Sequence, residues 1–221
     1  MDSPNPAASQ PIGPQPIGLD LIAPEFYAPA LRRLAWIAFG AGVVAGVVVA
    51  LLVNWPTGVL VGCVVGAPTI VYALAVRRRR MWLAGTVIDA RRLLGRRRVD
   101  IAAATGVELL VYPGRLSRIV LRVTAGRNAQ IVPLAMYTDA GTGRELHVLG
   151  LRKLADALSA APLAAALSLS GLLVGQLRAE ARDAVLEERP LFRAVRLVRA
   201  RDIVQPVRLS DSDIAALGTQ S

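Results

Sequence analysis

The 221-residue chain has one cysteine, one histidine and one lysine. With Cys63 alone, neither an internal disulfide nor a cysteine-based metal site can form, and we interpret the thiol as a small apolar filler. His147 stands in a strand-like pattern, so we interpret it as structural. Lys153 is the only lysine among abundant arginine, alanine and valine, a bias that suggests a GC-rich bacterial genome.

Motifs that carry enzyme chemistry are also missing. The sequence has no HExxH, no GxSxG, no P-loop and no dinucleotide-binding glycine fingerprint. The acidic pairs Glu187-Glu188 and Asp211/Asp213 have no partner that suggests acid–base work. We therefore expect no catalytic residue, no metal and no cofactor. Nucleic acid is an unlikely partner, because the sequence shows neither a recognisable fold nor interleaved aromatic residues.

Residues 34–76 form a long uncharged stretch that contains no Asp, Glu, Lys, Arg or His. About 20 apolar residues in a helix cross a hydrocarbon core of ~30 Å, so this run is long enough for two crossings. We predict a transmembrane hairpin over 31–80, with helices at 34–53 and 57–76. Pro56 should break the chain between them, and Thr57 should cap the second helix.

Arginines flank this run on both sides. Arg32 and Arg33 precede it, the run Arg77–Arg80 follows it, and the connecting turn has no charge. The positive-inside rule then predicts a multi-pass protein of the bacterial inner membrane with both termini in the cytoplasm. A cleaved signal peptide does not fit, because the apolar run starts late and a second run follows. The remaining alternative is a helical hairpin buried in a soluble protein.

Glycines recur at intervals of four within both predicted helices. The first helix has Gly42 and Gly46, and the second has Gly58, Gly62 and Gly66. Such faces allow two helix backbones to approach closely. We favour packing of the two helices within one hairpin, and a homo-oligomer through the same glycine faces is the alternative.

The lead before the hairpin, residues 1–30, holds half of the 14 prolines of the chain. Such a segment buries little apolar area against its ordering entropy, so we predict a disordered tail. The repeat PIGPQPIG within it is either passive or an extended docking peptide.

Beyond residue 80 the pattern changes to short β-favouring segments between turns. Ile119, Leu121 and Val123 alternate with Arg118, Val120, Arg122 and Thr124, which is typical of a half-buried antiparallel strand. Pro133 indicates an edge or a bulge. The predicted strands are 82–88, 106–112, 116–124, 129–137 and 145–149, and an amphipathic helix follows at 151–160.

Three stretches of this part, GRRRVDIAAATGVEL, SRIVLRVTAGR and LGLRKLADALSAA, resemble the bacterial pleckstrin-homology-like (PH-like) domains that follow a pair of membrane helices. The resemblance covers roughly residues 81–161. It implies an α+β fold, with a bent antiparallel sheet or barrel capped by a helix, and binding or scaffolding without catalysis. The aromatic residue often found after the basic strand is absent, because Ala102, Ala103 and Ala104 stand there.

After this domain we predict amphipathic helices over 162–201 and a C-terminal tail over 202–221. The first helix should run for about 25 residues until Pro190 ends it. A third membrane crossing near 160–177 is the less favoured alternative, because it would carry the arginine-rich C-terminus outside. The basic segment 191–201 either lies on an anionic membrane or packs on the domain.

The formal net charge is +10, and nine arginines lie between Arg77 and Arg98. The first four serve to stop translocation, whereas the later ones exceed what orientation requires. We predict that these later arginines contact lipid headgroups or a partner protein: Arg91, Arg92, Arg96, Arg97 and Arg98. The sequence thus predicts a non-enzymatic, membrane-anchored binding or scaffolding protein. The alternative is a structural subunit of a larger bacterial membrane complex, with contacts through the hairpin and the C-terminal helix.

Overall fold

The computed structural model describes residues 16–21, 24–78, 80–92, 95–201 and 205–219, without the side chains of 24–31, 73–74, 76–78, 92 and 219. Two apolar helices are followed by an antiparallel sheet domain with helices. The elements are β1 (Ile17–Gly18), α1 (Pro24–Leu52), α2 (Trp55–Arg78), β2 (Arg80–Ala84), β3 (Val87–Arg92), β4 (Gly95–Asp100), β5 (Gly106–Tyr112), β6 (Leu116–Ala125), β7 (Asn128–Thr138), β8 (Gly143–Glu145), α3 (Val148–Ser159), α4 (Ala164–Ala181), α5 (Pro190–Ala200), β9 (Val207–Arg208) and α6 (Asp211–Thr219).

Helices α1 and α2 contain stretches of 21 and 18 residues that are long and apolar enough to cross a membrane. Their large side chains are mostly exposed, for example Ile37 at 68% and Leu51 at 82%, which is unlike a core helix of a soluble domain. The predicted break at Pro56 is wrong. Pro56 lies in the first turn of α2, where a backbone N–H would have no acceptor within the helix, so a proline is tolerated there. Asn54, and not Thr57, caps α2, because its Oδ1 accepts the backbone N–H of Thr57 at 3.0 Å.

Residues 16–21, which precede α1, form part of the sheet domain. Ile17 and Gly18 of β1 pair with Leu83 and Trp82 of β2. The next residue, Leu19, has no exposed surface and lies in the apolar core. The expected disorder of 1–30 therefore does not hold for 16–21, because a buried leucine offsets the ordering entropy of a short strand. Helix α1 also begins at Pro24, well before the predicted start. Residues 1–15 and 22–23 lie outside the described part of the chain.

Two antiparallel sheets make up the domain, with strand orders β1-β2-β3-β4 and β8-β7-β6-β5-β9. The predictions for β5, β6 and β7 are confirmed, and so is the bulge, since Val120 pairs with Pro133 while Ile119 pairs with Ala135. The single strand predicted at 82–88 is wrong. A tight turn at Gly85, whose φ is +61°, splits this segment between β2 and β3.

The predicted strand at 145–149 is also wrong, because β8 ends at Glu145 and α3 begins at Val148. His147 caps α3, and its Nδ1 accepts the backbone N–H of Leu149 at 3.3 Å. An exposed histidine thus has a local structural role at a helix start instead of a place in a strand.

The C-terminal helices pack on the domain. In α4, Leu169, Leu172 and Leu173 are at most 1% exposed, so this helix is part of the core and does not form a third crossing. It ends at Ala181, earlier than predicted, and Pro190 begins α5 instead of ending α4. The apolar face of α5 is buried in the same core, so the segment 191–201 packs on the domain and does not lie free on a membrane.

Candidate functional site

The candidate site begins where α2 ends. Only residue 79 separates α2 from β2, so the first sheet starts directly at the end of the apolar hairpin. Its three main strands bring arginines into register, because Arg80 of β2 lies opposite Arg91 of β3, which lies opposite Arg96 of β4. Neighbouring strands are ~4.8 Å apart, so these three residues form a row about 10 Å wide.

A second row follows two residues further along each strand, where Trp82, Asp89 and Arg98 lie opposite one another. Side chains alternate between the faces of a strand, so both rows share one face. The intervening residues, Met81, Leu83, Ile88, Ala90 and Val99, are buried on the other face. We call the outer surface the arginine face, and it consists of Arg80, Trp82, Asp89, Arg91, Arg96 and Arg98.

Asp89 is the acidic residue within the arginine face. Its carboxylate accepts hydrogen bonds from Arg96 Nη2 at 2.7 Å and from Arg98 Nε at 3.2 Å. The hydrogen bond from Arg96, followed by that from Arg98, lowers the pKa of Asp89 although partial burial opposes the shift. Four guanidinium groups and one carboxylate leave the face with a net charge of three positive units. Both paired arginines remain more than half exposed, at 60% and 69%, so they stay accessible to an external anion.

The five arginines predicted from the sequence do not act as one group. Arg91, Arg96 and Arg98 lie on the arginine face, whereas Arg97 is on the opposite side of β4 and donates to the carbonyl oxygen of Ala129 at 3.4 Å. Arg92 belongs to β3 by its backbone, and its side chain lies outside the described part.

The sequence predicts that Arg80, as the last of four consecutive arginines, serves to stop translocation, yet it lies in β2 and joins the arginine face. The signal that identifies it is the tight turn at Gly85, because this turn fixes which residue of β3 stands opposite Arg80.

All five predicted glycines lie where α1 meets α2. A Cβ atom built on Gly42 would stand 2.8 Å from the carbonyl oxygen of Gly62, and one on Gly46 would stand 3.0 Å from that of Gly58. On Gly58 it would be 2.5 Å from the Cβ atom of Ala50, and Gly66 faces Ala38. The glycine faces are thus occupied by contacts within the chain, as the favoured interpretation expects.

A second polar cluster joins β7, β8, α4 and the residue before α5, and no local sequence pattern predicts it. Glu145 accepts hydrogen bonds from Tyr137 Oη at 2.5 Å, and from Gln176 Nε2 and Arg189 Nη1, both at 2.8 Å. Gln176 in turn accepts the backbone N–H of Leu191 at the start of α5. Burial, together with the charge of Glu145, raises the pKa of Tyr137 far above its ordinary value. Because the oxygens of Glu145 already hold β7, α4 and α5 together, we interpret the cluster as structural.

Among the residues that the structure describes, no group of three or more His, Cys, Asp or Glu side chains is placed to hold a metal ion. Comparisons with models of known protein families, with curated proteins and with solved structures find no match to this chain. The arginine face and the two apolar helices therefore carry the functional argument.

Proposed function

We propose that the chain is a membrane-anchored, non-enzymatic binding or scaffolding protein whose cytoplasmic domain docks its arginine face on anionic lipid headgroups. The observation that carries this proposal is the position of the face, directly after α2, with four arginines and one aspartate in two adjacent rows. We further propose that α1 and α2 cross the bacterial inner membrane as a hairpin, with both termini in the cytoplasm.

The pairing of β1 with β2 supports an even number of crossings. Residues 16–21 precede the hairpin and β2 follows it, yet Ile17 and Gly18 share a sheet with Leu83 and Trp82. This pairing supports a topology in which both ends of the hairpin lie on the same side of the membrane. Arginines flank both outer ends of the hairpin, which supports the cytoplasm as the side on which these ends lie.

The PH-like resemblance remains part of the proposal. Two antiparallel sheets followed by helix α3 support it, and they are compatible with a domain that binds at a surface without catalysis. The use of His147 as a helix cap and of Glu145 as a structural acceptor supports the non-enzymatic interpretation.

The magnitude of the attraction is sufficient for docking of a tethered domain. Each basic residue near an anionic leaflet contributes ~1 kcal/mol within a Debye length of about 8–10 Å. Three net charges therefore give roughly 3 kcal/mol. Because the hairpin already holds the domain at the surface, a contact of this size shifts the domain largely to the docked state.

Trp82 provides a natural reporter for the test, because it lies on the arginine face opposite Asp89. The full chain with Trp36→Phe and Trp55→Phe, reconstituted in vesicles, leaves Trp82 as its only tryptophan. We expect brominated phosphatidylglycerol vesicles to quench Trp82 more than brominated phosphatidylcholine vesicles, with the difference lost in high salt. Equal quenching in both lipids at low salt would instead favour a protein as the docking partner.

A structural subunit of a larger membrane complex is the second candidate, and one observation favours it. An apolar groove of about 470 Å³ runs along the seam of the hairpin, lined by residues that include Phe39, Val43, Trp55 and Ile70. A helix of another membrane protein fits such a groove. Crosslinking of the intact protein in its own membrane, followed by purification, distinguishes the two: a stoichiometric partner attached through α1 or α2 supports the subunit.

A further inference from the structure

A cleft of about 360 Å³ opens between the two sheets, where β2 and β3 of the first sheet meet the bulged part of β6 and β7. This volume lies within the ~300–1,000 Å³ range of small-molecule sites. Arg80, Arg91 and Arg118 line it together with apolar side chains such as Met81 and Met136. The cleft thus combines clustered positive charge with an apolar wall.

The three arginines differ from many others in the domain, which have carboxylate partners. Six arginines form ion pairs with an aspartate or a glutamate: Arg96, Arg98, Arg189, Arg199, Arg201 and Arg208. Within the described parts of the chain, no ion pair or hydrogen bond involves the guanidinium groups of Arg80, Arg91 or Arg118. Asp20, which also lines the cleft, has an interaction of its own. Three guanidinium groups against the single carboxylate of Asp20 leave the cleft with a net positive charge, which favours an anion with several oxygen atoms, because the planar donor fork matches phosphate.

Gln130 adds a second, uncharged requirement. It lines the cleft at only 2% exposure, and its Nε2 donates to the carbonyl oxygen of Ile131 at 3.4 Å. Its Oε1 is buried and accepts no hydrogen bond within the described residues. A buried acceptor without a donor is costly, so a ligand that supplies a hydroxyl group is favoured over one that carries only negative charge.

We propose that this cleft binds a phosphate ester that carries a free hydroxyl group. The arginines contact the phosphate oxygens. Gln130 Oε1 is fully buried in this structure, so the side chain of Gln130 must turn toward the cleft to accept a hydrogen bond from the hydroxyl. The ligand is either a soluble polyol phosphate or the headgroup of a glycerophospholipid, which share this chemistry. The inference goes beyond the docking proposed above, because it concerns a concave site with residues of its own, Arg118 and Gln130. Arg80 and Arg91 belong to the arginine face as well, so the cleft adjoins that face.

The test uses the full chain in phosphatidylcholine nanodiscs, titrated calorimetrically with glycerol phosphate, with inorganic phosphate and with glycerol. We expect glycerol phosphate to bind more tightly than inorganic phosphate, and glycerol not to bind. Arg118→Gln should weaken binding about 10-fold or more, as expected for the loss of a charge-assisted hydrogen bond. Arg122→Gln is the matched control, because Arg122 is an exposed arginine of the same strand and does not line the cleft. Arg118 is not on the arginine face, so its effect is independent of the Trp82 experiment.

Gln130→Met tests the hydroxyl contact separately. It should abolish the preference for glycerol phosphate over inorganic phosphate while leaving the unfolding temperature unchanged or higher, because an unpaired buried acceptor is removed. Nanodiscs with phosphatidylglycerol identify the source: weaker binding of soluble glycerol phosphate there indicates that a lipid headgroup occupies the cleft, and unchanged binding indicates a soluble ligand. The proposal is overturned if glycerol phosphate does not bind, or if Arg118→Gln and Arg122→Gln bind it equally.

Discussion

Leu19 donates its backbone N–H to the carbonyl oxygen of Met81 at 2.9 Å, so a residue before the apolar hairpin is bonded to a residue after it. The leucine side chain is fully buried in the core of the sheet domain. Residues 16–21 and β2 are therefore paired across the hairpin, and removal of residues 16–21 together with the hairpin would leave β2 without β1, its edge partner. Experiments on this protein consequently need the full chain.

Leu19→Ala should destabilise the domain by about 2–5 kcal/mol, as expected for truncation of a fully buried leucine. Leu21→Ala is the control, because Leu21 is only partly buried against the same core. Thermal unfolding of both variants in detergent measures the difference. An equal, small effect of the two substitutions would mean that β1 does not anchor the lead.

The glycine contact of the hairpin is tested by the same substitution at two sites. Gly58→Ala should lower the unfolding temperature, because the new methyl group would be 2.5 Å from both the Cβ atom of Ala50 and the carbonyl oxygen of Gly46. Gly40→Ala meets nothing within 4 Å and should be neutral or stabilising, since alanine favours a helix. Similar unfolding temperatures of the two variants in detergent would contradict this packing.

Asp183 holds the end of α4 in a left-handed conformation, with φ at +49°. Its N–H donates to Glu180 O at 3.0 Å and that of Ala184 donates to Ala179 O at 2.9 Å, which together form a Schellman motif. We expect Asp183→Gly to stabilise the protein by up to about 1 kcal/mol and Asp183→Val to destabilise it, because only glycine adopts this conformation without strain. Denaturant midpoints of the two variants, compared with the parent protein, measure the effect.

Glu180 supplies a pH-dependent prediction. Burial, followed by the charge of Glu145, raises its pKa, and its Oε2 has no hydrogen-bond partner within the described residues. The pKa of Glu180 is therefore higher in the folded than in the unfolded protein. Protonated Glu180 contributes to the stability of the fold below the ordinary glutamate pKa, and this contribution is lost as the pH rises through the folded-state pKa. Glu180→Gln should therefore raise the unfolding temperature at pH 7, and the gain should shrink at about pH 4, where the parent carboxyl is protonated. A gain that does not depend on pH would contradict this assignment.

Much of the architecture could be predicted from local patterns. The uncharged run gives the two apolar helices, and the alternation along β6 and the proline of β7 give the strand pair and its bulge. The contact of Leu19 with Met81 could not be predicted. The strand β1 has only two residues and no alternating pattern, and its partner β2 lies after both apolar helices in the sequence.

The arginine face was predicted only in part for a related reason. Period-two alternation places Arg97 and Arg98 on opposite sides of β4, although they are neighbours along the chain. The pairing of Arg80 with Arg91 depends on the turn at Gly85, which the single strand predicted at 82–88 leaves out. The cluster around Glu145 joins residues from four distant elements, Arg189 among them. Charge patterns along the chain carry no information on such pairs.

Asp89→Asn separates docking from stability, because the two should change in opposite directions. Loss of the carboxylate raises the net charge of the arginine face, so Trp82 quenching by anionic vesicles should increase. Stability should fall by at most about 1 kcal/mol, since the partner arginines are largely exposed. The lowered pKa of Asp89 keeps its carboxylate charged near neutral pH. The contribution of Asp89 to stability is lost only as the pH falls through its folded-state pKa. Docking of the parent protein should thus not change between about pH 5 and 8 through this group.

Hydrogen exchange of residues 87–100 in the full chain tests the central claim most directly. We expect slower exchange of β3 and β4 in phosphatidylglycerol nanodiscs than in phosphatidylcholine nanodiscs. The double variant Arg96→Gln and Arg98→Gln should lose this protection. The control variant Arg115→Gln and Arg127→Gln, which changes two exposed turn arginines, should retain it. Equal exchange in the two bilayers, or equal loss in both variants, would contradict docking through the arginine face.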